Sequence, residues 1–223
     1  RIIMKVYAIN GGPRKNYNTA KMMESFLKGV NDEGVETEII HLYDLKYSSC
    51  RECYGCKVKG SRNYGRCVYP DDLKRVLEKL YKADGIVLAS PIYFHDITGQ
   101  LRCFLDRFFF SLDSHKKGES TLIPRKIITA AIYTMNETQE HMKQAKYPQT
   151  LETTHQYMHY LLGYYPEIIY AYNTYEFDDY SKYKASYWNE EEKRIWKEQQ
   201  FPLDLQNAYH AGQQMALKIK KLM

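Results

Sequence analysis

The chain has no apolar run long enough to span a bilayer, and no signal peptide is visible in it. The cytoplasm is therefore the expected compartment, with no membrane partner. Nor is there a basic run: 32 lysines and arginines against 27 acids leave a net charge of +5, spread along the sequence. Lys218, Lys220 and Lys221 fit a solvated helix face, so no nucleic-acid partner is expected. Internal repeats and flexible linkers are lacking too. That leaves one domain, residues 1–223, with a cysteine-rich loop at 46–69 and a surface excursion at 176–200. What the chain has in abundance is tyrosine, 22 against 8 phenylalanines. A flat apolar body with a polar tip suits interfaces and ligand rims.

Two nucleotide-binding signatures are missing from the first glycine turn, Asn10-Gly11-Gly12-Pro13. It lacks the Gly-Lys-Ser/Thr ending of a triphosphate cradle, and no third glycine follows at the dinucleotide spacing. The turn nevertheless joins an apolar strand (Ile3, Val6, Ala8, Ile9) to a helix that opens near Asn18 and Thr19. The first turn of a helix carries unpartnered N–H groups and partial positive charge, which together hold a phosphate. Gly11 and Gly12 let backbone approach an anion, Arg14 offers a fork of donors, and Asn18 and Thr19 can cap the helix and touch phosphate oxygens.

Further along, Ala20, Met23, Phe26, Leu27 and Val30 recur at helical spacing until Gly34, and Val35 to Leu42 reads as a second strand. Pro70-Asp71-Asp72 starts a helix with the stripe Leu73, Val76, Leu77 and Leu80. Gly85 to Ser90 is a strand apolar on both faces, left by Pro91 to His95 and followed by a helix through Leu101, Phe104 and Phe108. Lys126 to Tyr133 and Ile168 to Tyr172 are two more strands. Between them runs a helix from about Glu137 to Leu162, interrupted before Pro148. Helix is expected around Glu190 to Lys197 and again from about Leu203 to Lys221. Strands alternating with helices imply right-handed crossovers and a parallel, doubly wound α/β sheet. Ligands of such sheets sit outside the carboxyl ends of the strands, at the switch point. Three segments converge there: the glycine turn, the stiff aromatic segment Pro91-Ile92-Tyr93-Phe94, and Thr134-Met135-Asn136. A phosphate pocket beside a stiff aromatic loop suits flavin mononucleotide.

The segment NGGPRKNYNT is similar to the GSPRKxxNT loop of the flavodoxin-like NAD(P)H-dependent FMN reductases. SPIYFHDITGQLRCFLDRF resembles their second flavin loop and helix, SPVYFxxxxxQLKxFIDR. The segment Gly65 to Asp72, with Cys67, resembles their cysteine-bearing members, which include the iron–sulfur flavoproteins. The resemblance implies a three-layer sandwich with five parallel strands in the order 2-1-3-4-5. It implies that Gly11, Gly12, Pro13, Arg14, Asn18 and Thr19 hold the FMN phosphate. Pro91, Ile92, Tyr93 and Phe94 would then border the ring, with Thr134, Met135 and Asn136 alongside. It further implies NAD(P)H as co-substrate and a homodimer or higher homo-oligomer. Arg102, Asp106 and Arg107 match the family helix as an ion-paired, partly packed surface. Two departures are plain: Gly12 replaces a common serine, and the third loop lacks the glycines often found there.

Cys50, Cys53 and Cys56 are spaced C-x2-C-x2-C, and ten residues separate Cys56 from Cys67. Four thiolates on one loop can ligate a [4Fe–4S] cluster, two separated pairs are the zinc pattern, and a metal-free lid is the reading taken. Cys103 reads as a packing residue inside an apolar helix. Glu152, His155 and His159 share a helix face without a fourth ligand, so an ordinary surface is expected. His95 is expected to be solvated.

The expected function is an FMN-dependent oxidoreductase passing electrons from NAD(P)H to a small-molecule acceptor such as a flavin or quinone. No protein nucleophile is needed. The alternatives are an iron–sulfur flavoprotein electron carrier and a flavin-free flavodoxin-like binding domain.

Overall fold

The computed structural model describes residues 3–222, so residues 1, 2 and 223 of the expected domain lie outside the described part. In chain order the elements are β1 (Lys5–Asn10), α1 (Asn18–Asp32), β2 (Glu36–His41), α2 (Asp72–Leu80), β3 (Gly85–Tyr93), β4 (Asp96–Ile97) and α3 (Gly99–Leu112). There follow β5 (Ile128–Thr134), α4 (Gln139–Gln144), α5 (Tyr147–Leu162), β6 (Glu167–Ala171), α6 (Glu190–Gln199) and α7 (Phe201–Leu222).

The long strands pair in parallel in the order β2-β1-β3-β5-β6, and β4 folds back antiparallel onto the end of β3. Counting long strands alone, this is the expected 2-1-3-4-5. Ile86, Val87, Leu88 and Ala89 of β3 are all buried, because helices cover both faces of the sheet. On one face α2, α3 and α5 contribute Leu77, Phe104, Phe108 and Met158 to the core; on the other, α1 and α7 contribute Met22, Phe26, Met215 and Ile219. Among the described residues no helix is long and apolar enough to cross a membrane.

Three boundaries differ from expectation for local reasons. β3 does not stop at Ser90 but continues to Tyr93. Phe94 (φ 50°) and His95 (φ 70°) form a two-residue turn whose positive φ angles match the twist of paired strands, so Ile92 and Tyr93 pair with Ile97 and Asp96. The long helix is divided, as expected, before Pro148, with Lys146 at φ 60° between α4 and α5. α7 begins at Phe201, two positions ahead of Leu203, because proline is well tolerated in a first helical turn and Pro202 does not block it.

α1 and α7 cross so closely that side chains are excluded from the contact. A Cβ on Gly29 would lie 2.0 Å from the Tyr209 carbonyl oxygen, and one on Gly212 would lie 1.9 Å from that of Phe26. Neither backbone can yield without the helices separating. Gly29→Ala is expected to lower stability by about 1–3 kcal/mol through overpacking, despite the better helix propensity of alanine. Denaturant unfolding measures this, and an unchanged midpoint would show that the crossing adjusts freely.

Candidate functional site

The loops after β1, β5 and β6, with the end of β3, surround a cleft at the carboxyl end of the sheet. Gly12, Pro13 and Arg14 line it from the loop after β1 and Asn18 and Thr19 from the start of α1, Pro91, Ile92 and Tyr93 from the end of β3, and Thr134 from the end of β5 with Met135 and Asn136 after it. Two expected residues are not in the wall. Gly11 lies beneath it: its N–H donates to Ala89 O at 2.7 Å, and its carbonyl accepts from Thr98 Oγ1 at 2.6 Å. A Cβ on Gly11 would stand 2.9 Å from Leu101 Cβ, so this glycine serves close packing. Phe94 sits at the tip of the hairpin with its side chain wholly in solvent. A bulky residue at positive φ is strained, which makes the exposed ring a built feature of the rim.

The first loop is shaped by Asn10, which is fully buried. Its Oδ1 accepts the Gly12 N–H at 2.9 Å, a side-chain turn that bends the chain out of β1, and its Nδ2 lies 3.1 Å from His41 Nδ1. The expectation that Asn18 and Thr19 cap α1 is not met. The N-cap is Tyr17, whose side chain makes no cap hydrogen bond. Asn18 Nδ2 instead donates to Tyr175 O at 2.7 Å, and the Thr19 and Thr134 hydroxyls share a hydrogen bond of 2.7 Å. The first-turn N–H groups of α1 thus have no side-chain cap, and this end of the helix borders the cleft. Arg14 lies against the Tyr17 ring, 3.6 Å from its centroid, and donates to Glu176 O at 2.7 Å.

Sequence reasoning missed Tyr17 and the segment Thr174, Tyr175 and Glu176, all in the cleft wall. The carboxyl-end rule that selected the other loops applies equally to the end of β6, and following it past Ala171 would have found them. Thr174 donates through both N–H and Oγ1 to Met135 O, at 2.9 and 3.0 Å. Asn136 Nδ2 donates to Glu176 Oε2 at 2.7 Å. His95 is exposed and stacks on Tyr147 at 4.2 Å between ring centroids.

Cys50, Cys53, Cys56 and Cys67 line one small cavity together with Arg107, and all five cysteines of the chain are free. Among the described residues no three Cys, His, Asp or Glu side chains are gathered as a single-ion site requires. The loop carrying the thiols is firmly anchored. Arg107 is not the surface residue expected but is buried, gripping Asp71 with two hydrogen bonds of 2.5 and 3.0 Å and donating Nε–H to Cys67 Sγ at 3.3 Å. Arg102 pairs with Asp96 instead, and Cys103 is only half-buried. Tyr81 OH accepts the Cys67 N–H and shares a hydrogen bond with Ser111; burial pushes the phenol up to about 12. Lys57 donates to the carbonyls of Phe110, Ser111 and Asp113, closing the C-terminal end of α3. Burial raises the Cys56 thiol above its usual range. His155 also departs from expectation: it is buried, with Nε2 2.9 Å from the Tyr133 hydroxyl.

A doubly wound parallel sheet whose switch-point cleft holds an uncapped helix start and a stiff proline-aromatic edge is an α/β protein of the class that binds ligands outside the carboxyl ends of its strands. The chain belongs to the NADPH-dependent FMN reductase family, whose model matches residues 4–154. An iron–sulfur flavoprotein of Methanocaldococcus jannaschii is 39% identical over 104 residues, covering 47% of this chain and 51% of the relative. A further iron–sulfur flavoprotein, from Archaeoglobus fulgidus, is 41% identical over 104 residues, 47% of this chain and 48% of its own length. The chain thus spans about half the length of the curated relatives it matches. Among solved structures, an NAD(P)H:quinone oxidoreductase from Methanothermobacter marburgensis shares the fold, with a TM-score of 0.68 at 16% identity over 95% of this chain and 96% of that one.

The anchoring of the cysteine loop is open to direct test. Exposed Cys53 is expected to react first with a thiol reagent and buried Cys56 slowly. Lys57→Met is expected to speed Cys56 modification about tenfold, the equivalent of one lost hydrogen bond to a charged group. Mass-spectrometric pulse labelling reads this, and an unchanged rate would show that Lys57 does not hold the loop.

Proposed function

We propose that the cleft binds FMN and that the chain is an FMN-dependent oxidoreductase taking electrons from NAD(P)H to a small-molecule acceptor, a flavin, quinone or similar compound. The observation supporting this is that an uncapped helix start with an adjacent arginine and a stiff proline-aromatic edge share one cleft. Bound FMN would supply hydride acceptance and electron return. The protein would supply position and charge. Arg14 and the first-turn N–H groups of Asn18, Thr19 and Ala20 hold the phosphate, with Gly12 and Pro13 keeping bulk away. Pro91, Ile92 and Tyr93 border the ring. Thr134, Met135 and Asn136 face the side of the cleft next to Glu176, whose carboxylate can accept from ligand hydroxyls. Gly11 acts from below by letting α3 close on β1, and no side chain is assigned a nucleophilic role.

The same reading takes residues 1–223 as one flavodoxin-like domain, supported by the packing of α7 on α1 against a continuous sheet. It places the protein in the cytoplasm as a homodimer or higher homo-oligomer. The wholly exposed Phe94 ring beside the cleft supports a second copy closing the rim.

A second reading is favoured by the four free thiols on one cavity: an iron–sulfur flavoprotein carrying a [4Fe–4S] cluster at Cys50, Cys53, Cys56 and Cys67. The donor set fits such a cluster in kind. Purification without air separates the two. Iron and sulfide near four per chain support the carrier, and rapid bleaching of a yellow protein by NADPH alone supports the reductase. A chain that stays colourless with added FMN would be a flavin-free binding domain. As a site test, Arg14→Ala is expected to weaken FMN binding by about 1.5–3 kcal/mol, the scale of a hydrogen bond to a charged group. Unchanged affinity in a titration would remove Arg14 from the site.

A further inference from the structure

A buried cation stands behind the cleft, on a helix beyond the residues the family model matches. Lys193 of α6 is 1% exposed. Its Nζ donates to Asn136 O at 2.6 Å, Asn173 Oδ1 at 3.0 Å and Thr174 O at 3.4 Å, and the Trp188 ring covers it with the centroid 4.7 Å away. Asn136 and Thr174 both line the cleft, as does Glu176, whose carboxylate Asn136 holds. An acid in that wall works against an anionic ligand, and an ammonium behind the wall offsets it.

We propose that Lys193 is a positioning residue of this cleft, tying the loop after β5 to the loop after β6 and offsetting the Glu176 carboxylate so that a phosphate-bearing ligand is accepted. The proposal rests on the FMN reading above. The contacts are independent of the backbone bonds that join these loops, Thr174 N–H to Met135 O and Asn173 N–H to Glu137 O, so loss of the ammonium need not unfold them.

The charge state of Lys193 follows from its surroundings. Burial is the largest influence and pushes it down to about 8; Glu176, Glu137 and Glu192 oppose this. From α7, Asp204 is engaged by Gln200, and Lys197 of α6 lies over the Tyr175 ring. Linkage then fixes two opposite signs. For folding, a lysine lowered below its unfolded value costs stability in full below about pH 8, and the cost fades as pH rises from there to the unfolded value of 10.5. For ligand binding, an anion favours the ammonium, so affinity is full below about pH 8 and falls above it.

Calorimetric titration of the full chain with FMN between about pH 7 and pH 9 tests this. The second ionisation of a phosphate ester lies near about 6, so the ligand charge is constant across the range. The wild type is expected to lose about fivefold in affinity over this range for one pKa unit of coupling. Lys193→Met is expected to bind more weakly at pH 7 and to show no such slope, and Lys193→Arg to keep its affinity at pH 9. Circular dichroism establishes folding of each variant, and if the arginine variant does not fold, the methionine variant decides. A wild-type affinity independent of pH, or a methionine variant with wild-type affinity and slope, overturns the proposal. A wild type that binds no FMN at any pH overturns the FMN reading, and the proposal with it.

Discussion

The whole site depends on a helix that starts without a cap. α1 opens at the end of β1 with Tyr17 in the N-cap position, and the side chains next in line bond elsewhere. A helix end left this way has donors that only water or a ligand can satisfy. Three other helix starts are closed by a side chain, since Thr98, Thr138 and Asn189 each accept an N–H from the turn they precede, whereas α2 and α5, like α1, have no side-chain cap. Of the uncapped starts, that of α1 falls where the strand order of the parallel sheet reverses, between β1 and β3, and borders the cleft. There the macrodipole and Arg14 place positive charge together.

Around that helix start the loops are bound to one another by side-chain hydrogen bonds. Thr98 fastens the second loop to Gly11, the paired hydroxyls of Thr19 and Thr134 fasten the first to the third, and Asn18 and Arg14 reach carbonyls of Tyr175 and Glu176. Lys193 fastens the last two from behind. Each contact is modest alone, about 0.5–1.5 kcal/mol for a neutral hydrogen bond and more for a charged one. Together they make a wall in which loop movements are coupled. Arg14 and Asn18 are therefore shared between the segment at 175–176 and any anion that enters.

The fold was legible because its signals are local. The apolar run of β3, the stripes of α2 and α3 and the glycine turn after β1 each declare an element and its end, and right-handed crossovers do the rest. The three expected loops do share a cleft. What was hidden is long-range. Nothing in the run Glu190-Glu191-Glu192-Lys193 distinguishes the lysine that is buried from acids that are exposed; Trp188 and the loop carbonyls decide it. Arg107 was misread for the same reason, since its partner Asp71 lies 36 positions away. Phe94 looked like a ring neighbour until a hairpin turn directed it outward. Gly11 looked like a phosphate glycine, whereas Leu101 claims its open side.

The family match ends at residue 154, yet the segment at 174–176 in the cleft wall and Lys193 of α6 behind it both lie beyond that point. The shared part of the chain thus carries the uncapped helix start, and the segment at 174–176 adjoins it through Arg14 and Asn18. The central claim is that the phosphate, gripped at the start of α1, is what anchors the ligand. Parallel calorimetric titrations with FMN and with riboflavin, which differ in that phosphate alone, test it most directly. FMN is expected to bind about tenfold to a hundredfold more tightly, the scale of one or two charge-assisted hydrogen bonds. Equal affinities would contradict the account.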